Sequence, residues 1–390
     1  MPLDLEDQTM TTFKALAYIQ NIRSIAAEHS MPQPESIAWI MKALQKSSEG
    51  SENGDKVSRA LNLYEKLLNN ESIRHRRSVL PDYMHQDWER MTLFKPSVRS
   101  DGSASHWTSP PLQDRMKLYV NAARQMAREA FSNEEKAPAY IVDVSCTGYR
   151  APTPVQELVL EKGWEQKTRL LKIGHMGCYA SVPGVHLAVQ MAQSIPKDAQ
   201  VSVLSTEICT LHLNPLAQDP DQIVSNILFA DGCARIDVGL DKKMGSLAFL
   251  DHYEAIIPES SEYMSWDLED SRFHMTLSRK VVTQLNKVIG SHLSEFLSLH
   301  GLKADQISRF AIHPGGPRIV ESIQEELKLP DQAVSHSKAV LASFGNMSSA
   351  TLPHVWKAMM EDSSVKAGEM IVSMAFGPGL TVTMNLLQKV

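Results

Sequence analysis

The run AYIVDVS at residues 139–145 is apolar, short and rich in β-branched side chains, the pattern of a strand buried on both faces. Downstream of it, helical and strand patterns alternate. VHLAVQMAQSI (185–195) reads as a helix and AQVSVLSTEI (199–208) as a strand. ARIDVGL and GSLAFLDHY, between 234 and 253, read as two further strands. A long helix is expected over Val281–Leu297, then a strand at ISRFAIH (307–313) and a helix at IVESIQEELK (319–328). EMIVSMAF and LTVTMNLL close the chain as two strands around Gly377–Gly379. Apolar strands alternating with helices argue for a layered α/β architecture. The β-rich stretches 139–253 and 307–390 are compatible with an old duplication, and a division into halves 1–245 and 246–390 is expected. Upstream, the first 110 residues read as helices joined by polar loops. Val57–Leu68 and Leu112–Phe131 have helical apolar spacing, while SSEGSENGD (47–55) and SVRSDGSASHWTSPP (97–111) read as surface loops.

At 390 residues with 43% hydrophobic content, the chain can bury a large core. A formal net charge of −6 argues against general nucleic-acid binding. No apolar run is long enough to span a bilayer, and the acidic start MPLDLEDQTM lacks the layout of a signal peptide, so a cytoplasmic location is expected. Cys146, Cys178, Cys209 and Cys233 form no CxxC pair and have no His-rich neighbourhood, so a metal site is not expected. Each is core filler or a nucleophile.

Three segments carry candidate chemistry. Cys178 lies in IGHMGCYASVPGVHLAV, after a glycine and before a helix. The positive end of that helix would lower the thiol pKa, and its free N–H groups would hold an oxyanion. The plain alternative is an inert cysteine in a tight turn. His313 lies in FAIHPGGPRIV, at a strand end, where α/β folds bind ligands. The turn through Gly315 and Gly316 would leave bare backbone for a ligand to lie against; otherwise His313 is merely solvated. Asn346, in SFGNMSSATLPHVWKAM, is a helix cap or an amide donor to a developing enolate. AFGPGLTVTM (375–384) places glycines inside a strand-turn-strand unit.

In their order and wording these segments resemble the type III polyketide synthases, the chalcone and stilbene synthase family. The resemblance rests on VDVSCTG (142–148), MGCYA (176–180), STEIC (205–209), ILFADG (227–232), RFHM (272–275), IHPGGP (312–317), FGNMSSA (344–350) and AFGPGLT (375–381). Residues 1–138 match loosely, with IRHRR (73–77) as the best anchor. The resemblance implies a thiolase-like α/β/α/β/α fold and a homodimer. It implies no permanently bound cofactor, and acyl-CoA and malonyl-CoA as substrates. Cys178 would carry the acyl starter, His313 would hold it as a thiolate, and Asn346 would pair with His313. Phe229 and Phe273 match two phenylalanines at the cavity entrance, Ser348 a cavity-lining residue, and Pro378 the bordering loop.

The departures lie in the cavity wall. Cys146, Cys209, His212 and Ser225 stand where plant members carry other residues, and Ala151 replaces a methionine that crosses the dimer interface. The small Ala151 and Ala180 suggest room for a long acyl chain. Lys66, Arg74, Arg76 and Arg318 are candidates for the CoA phosphates, or for an acidic acyl carrier protein. The resemblance implies iterative condensation ending in a pyrone or a phenolic ring. A single-round β-ketoacyl synthase shares Cys, His and Asn, but HPGGP and FGPGLT argue against it. A non-catalytic paralogue would have lost part of the trio.

Overall fold

The computed structural model describes residues 13–48, 54–68, 71–95 and 110–390. The expected loops at 47–55 and 97–111 therefore lie largely outside the described residues, as does the stretch 1–10. The first elements are β1 (Ala17–Ala26), β2 (His29–Pro32), α1 (Gln33–Ser47), α2 (Gly54–Leu68), β3 (His75–Ser78) and α3 (Leu112–Ala130). Then come β4 (Tyr140–Ser145), α4 (Pro154–Glu161), β5 (Arg169–Gly174), α5 (Ser181–Ala192), β6 (Val201–Ile208), α6 (Pro220–Leu228) and β7 (Asp231–Gly239). The remainder is β8 (Leu247–Ile256), β9 (Met264–Leu268), β10 (Phe273–Leu277), α7 (Lys280–Ser298), β11 (Arg309–Ile312), α8 (Pro317–Glu326), α9 (Asp331–Phe344), α10 (Thr351–Glu361), β12 (Met370–Gly377) and β13 (Thr381–Lys389).

Nine strands form one sheet in the order β11-β12-β13-β8-β1-β7-β6-β4-β5. The pairing repeats. β4 runs parallel to β6, β6 antiparallel to β7, and β7 antiparallel to β1. Likewise β11 runs parallel to β12, β12 antiparallel to β13, and β13 antiparallel to β8. The two sets meet where β1 pairs with β8. Both faces of this sheet are covered. Val142, Val203 and Ile371 pack with α5 and α10, through Val182, Val185, Val355 and Trp356. Their neighbours turn the other way, Ile141 and Leu204 toward Met126 and Ala127 of α3, Val372 toward Leu285 and Ile289 of α7. That explains why these strands read as continuous apolar runs.

One expectation is corrected. The first 110 residues are not all helical, because β1 lies inside the sheet. Its buried residues Ile19, Ile22 and Ile25 are spaced by three, which mimics a helix. The cause is a register shift between Ile19 and Asn21, followed by a change of face: Ile22 packs with α5 and α10, Ile25 with α3.

Candidate active site

Cys178 sits in the turn between β5 and α5, three residues before the helix begins. Gly177 has φ +84°, and a Cβ there would stand 3.0 Å from Pro378 Cδ. A Cβ on Gly377 would fall 2.0 Å from the ring of Tyr179. The glycines of MGC and FGPGL thus let the two turns close on each other around the thiol.

Cys178 is 8% exposed, and burial pushes its thiol up to about 11. The Ser348 hydroxyl and the Asn346 amide pull in the opposite direction. This corrects the expectation of a thiol lowered by the helix end: desolvation outweighs it.

His313 follows β11, its N–H donating to Met374 O at 2.7 Å. Its side chain is buried, and neither ring nitrogen has a hydrogen-bond partner among the described residues. Burial lowers its pKa to about 3, which keeps the imidazole neutral. The implied pairing of Asn346 with His313 takes a different form. Asn346 Nδ2 donates to Gly315 O at 2.9 Å, and its Oδ1 accepts from Ser348 N at 2.9 Å. The amide therefore links the sulfur of Cys178 to the turn that carries His313. The backbone of Asn346 is itself held: its N–H donates to Leu228 O (2.9 Å) and its carbonyl accepts from Ala230 N (2.8 Å), which brackets Phe229.

Beside Cys178 opens a cavity lined by Cys146, Cys209, His212, Ser225, Phe229, Phe273, Ser348 and Pro378, all named from sequence. Gly315 borders the His313 ring, and Gly316 packs on Leu228. Ala180 lies in the core with α5 rather than on the cavity wall. Sequence reasoning missed Thr147, Gln222, Met264, Trp266 and Met275. Three of these lie on the hairpin β9–β10, where Trp266 pairs with Met275. The signal was present: Met264, Trp266 and Leu268 alternate, as do Phe273, Met275 and Leu277.

His212 stacks on Phe273 with ring centroids 4.3 Å apart. Its Nδ1 accepts from Phe273 N at 3.1 Å, so Nε2 carries the hydrogen and donates to Thr147 O at 2.7 Å. Burial lowers this histidine to about 3, so it serves as a neutral platform. Trp266 stands edge-on to both rings and donates from Nε1 to Cys146 O at 2.6 Å. Gln222 Nε2 donates to Met275 O at 2.6 Å, tying the hairpin to α6.

The basic candidates separate. Lys66, Arg74 and Arg318 are on the surface, the last with 87% of its side chain in solvent. Arg76 is fully buried. It donates to Gln33 Oε1 (2.7 Å), Asn226 O (2.7 Å), Phe229 O (2.8 Å) and the Ser36 hydroxyl. A guanidinium so engaged cannot reach a phosphate, so the role expected for Arg76 is corrected to structural. No group of His, Cys, Asp and Glu among the described residues could hold a metal ion. No described helix is long and apolar enough to cross a membrane.

Family models described as "Chalcone and stilbene synthases", N-terminal and C-terminal domains, match residues 52–242 and 250–390. The chain is 27% identical to the 1,3,6,8-tetrahydroxynaphthalene synthase of Streptomyces coelicolor, covering 71% of this chain and 75% of that one. It is 26% identical to the phloroglucinol synthase of Pseudomonas fluorescens, over 77% and 90% of the two chains. In fold it superposes on the crystal structure of PKS-I from the brown alga Ectocarpus siliculosus with a TM-score of 0.82, at 22% identity, covering 98% of this chain and 100% of that one.

Proposed function

Because the chain belongs to the chalcone and stilbene synthase family and is a type III polyketide synthase, an acyltransferase performing decarboxylative condensation, we propose that Cys178 carries the acyl starter. The starter comes from a CoA thioester, is extended iteratively with malonyl-CoA, and leaves after cyclisation as a pyrone or a resorcinol-type phenol. The observation that carries this reading is one buried thiol under two side-chain donors, one of which, Asn346, is bonded to the turn that carries a neutral imidazole whose nitrogens are unengaged among the described residues.

A neutral imidazole is the form that accepts a proton. His313 takes the Cys178 proton as the sulfur attacks the thioester carbonyl, and returns it to the departing CoA thiol. Loss of CO2 from the malonyl thioester leaves an enolate. Its oxygen needs donors in a dry site: His313 supplies one N–H, and Asn346 supplies the Nδ2 hydrogen not used on Gly315, which the Cys178 sulfur, a poor acceptor once acylated, gives up. The enolate carbon then attacks the Cys178 thioester carbonyl, the C–S bond breaks with Cys178 leaving as the thiolate, and the lengthened chain, now on CoA, is transferred back to Cys178 for the next round. The apolar and aromatic wall keeps water from the thioester.

The surface positions of Lys66, Arg74 and Arg318 suit the CoA phosphates or the acidic face of a carrier protein. β5 is a sheet edge with Leu171 exposed, which supports pairing with a second copy in a homodimer.

The test is mass spectrometry of products from the enzyme with malonyl-CoA and a series of acyl-CoA starters, beside Cys178→Ala. Cyclic tri- or tetraketides that vanish in the variant are expected. Linear single-extension products alone would replace this reading by a single-round ketosynthase.

A further inference from the structure

Three thiols, Cys146, Cys178 and Cys209, face one cavity, yet the chemistry needs a single nucleophile. The surroundings of Cys146 explain why it is not that nucleophile. Glu207, on β6, is fully buried. Its two oxygens accept from the backbone N–H of Cys146 at 3.0 and 3.2 Å, and Oε2 lies 3.4 Å from the Cys146 sulfur. Thr147 Oγ1 donates to Oε2 at 2.8 Å, and the Ser349 hydroxyl donates to Oε1. Thr147 Oγ1 also accepts from Ile208 N at 2.9 Å, which turns its hydrogen toward Glu207. Every partner is a donor, the environment of an ionised carboxylate, which only accepts. Burial raises the Glu207 pKa above the ordinary carboxylate value, and the Ser349, Cys146 and Thr147 donors work against that rise.

Burial already opposes a thiolate on Cys146, and a negative charge at hydrogen-bond distance in the same dry interior opposes it further. The other titratable groups around this sulfur are Cys178, Cys209, Tyr119 and Tyr149, and none brings a compensating positive charge. The Ser348 hydroxyl lies 3.1 Å from the Cys146 sulfur and also serves Cys178, so what sets Cys178 apart is the Asn346 amide and the absence, among the described residues, of a carboxylate at hydrogen-bond distance.

We propose that Glu207 is a positioning residue that holds Cys146 as a protonated thiol and so keeps it from competing with Cys178 for the acyl group. The proposal rests on Cys178 being the acylated residue, but its test reads Cys146 directly. The full chain carrying Cys178→Ala is treated with iodoacetamide near pH ~8.5, an ordinary cysteine pKa, and labelled peptides are mapped. Adding Glu207→Gln is expected to speed Cys146 labelling by about tenfold or more. Glu207→Asp keeps the charge and is expected to preserve protection. Equal labelling with Gln and with the native Glu overturns the proposal, as does an Asp variant that labels as fast as the Gln variant. Should Glu207→Gln fail to fold, Cys209 in Cys178→Ala is the reference, since it is buried as deeply as Cys146 but makes no hydrogen bond to Glu207 among the described residues. Labelling of Cys146 that sets in at higher pH than that of Cys209 supports the proposal, and onset at the same or lower pH contradicts it. Failure of the Cys178 assignment would show separately, as polyketide formation that persists in Cys178→Ala.

Discussion

At the scale of single residues, the site begins from neutral partners. Cys178 stands near 11 and His313 near 3, both displaced by burial. Without substrate the thiolate is therefore scarce at neutral pH. Alkylation of Cys178 is expected to accelerate about tenfold per pH unit from 7 to 10, because the thiolate fraction does; a plateau near pH 7 would show a resting ion pair instead. A second residue-scale prediction separates two neighbouring arginines. Arg76→Ala strands the carbonyls of Asn226 and Phe229, and the loss of several buried bonds is expected to cost about 3 kcal/mol or more by denaturant unfolding. Arg74 is exposed, so Arg74→Ala should leave stability within about 0.5 kcal/mol and raise KM for CoA substrates. The sequence placed both in one basic cluster. Nothing in IRHRR marks which guanidinium turns inward, because that depends on acceptors roughly 150 residues away in chain order.

Among the elements, the hairpin β9–β10 lines the cavity with Met264, Trp266, Phe273 and Met275. Trp266 fills space beside Cys146, so Trp266→Ala should raise kcat/KM for longer acyl-CoA starters at least about tenfold relative to short ones. An unchanged starter profile would remove Trp266 from the specificity wall. The two glycine turns make a matching prediction. Gly377→Ala drives a methyl into the Tyr179 ring and is expected to lower stability by about 1–3 kcal/mol, read as a shift in the urea midpoint. These elements were unequally legible. AYIVDVS, ISRFAIH and the last two strands carry their apolar runs openly, and each is a strand in the structure. β1 hid behind its irregular register. Cys178, His313 and Asn346 stood out because glycine-rich turns frame them. Glu207 did not, since nothing local in STEIC says that several donors converge on it.

Across the whole molecule, the repeated pairing of β4-β6-β7-β1 and β11-β12-β13-β8 supports, as a proposal, a division into halves 1–245 and 246–390. Cys178 comes from the first half, and His313 and Asn346 from the second, so the site depends on the halves staying docked. Stability is tied to pH through buried histidines. His212 and His313 are lowered to about 3 and His354 to about 4, against an ordinary value near ~6.5. Between those limits the unfolded chain binds protons that the folded chain refuses. Stability therefore falls as pH drops below ~6.5, by up to about 1.4 kcal/mol per pH unit for each histidine. Calorimetry from pH 7.5 to 5 should show a steadily falling Tm; a flat profile would mean that these rings are not held neutral.

Every other role in the site depends on Cys178 carrying the growing chain. The most direct test is intact-mass and peptide analysis of the enzyme after brief exposure to an acyl-CoA without malonyl-CoA. One acyl group per chain is expected, mapped to Cys178 and discharged when malonyl-CoA is added. An acyl group on Cys146 or Cys209, or product formation with Cys178 never acylated, would contradict that role.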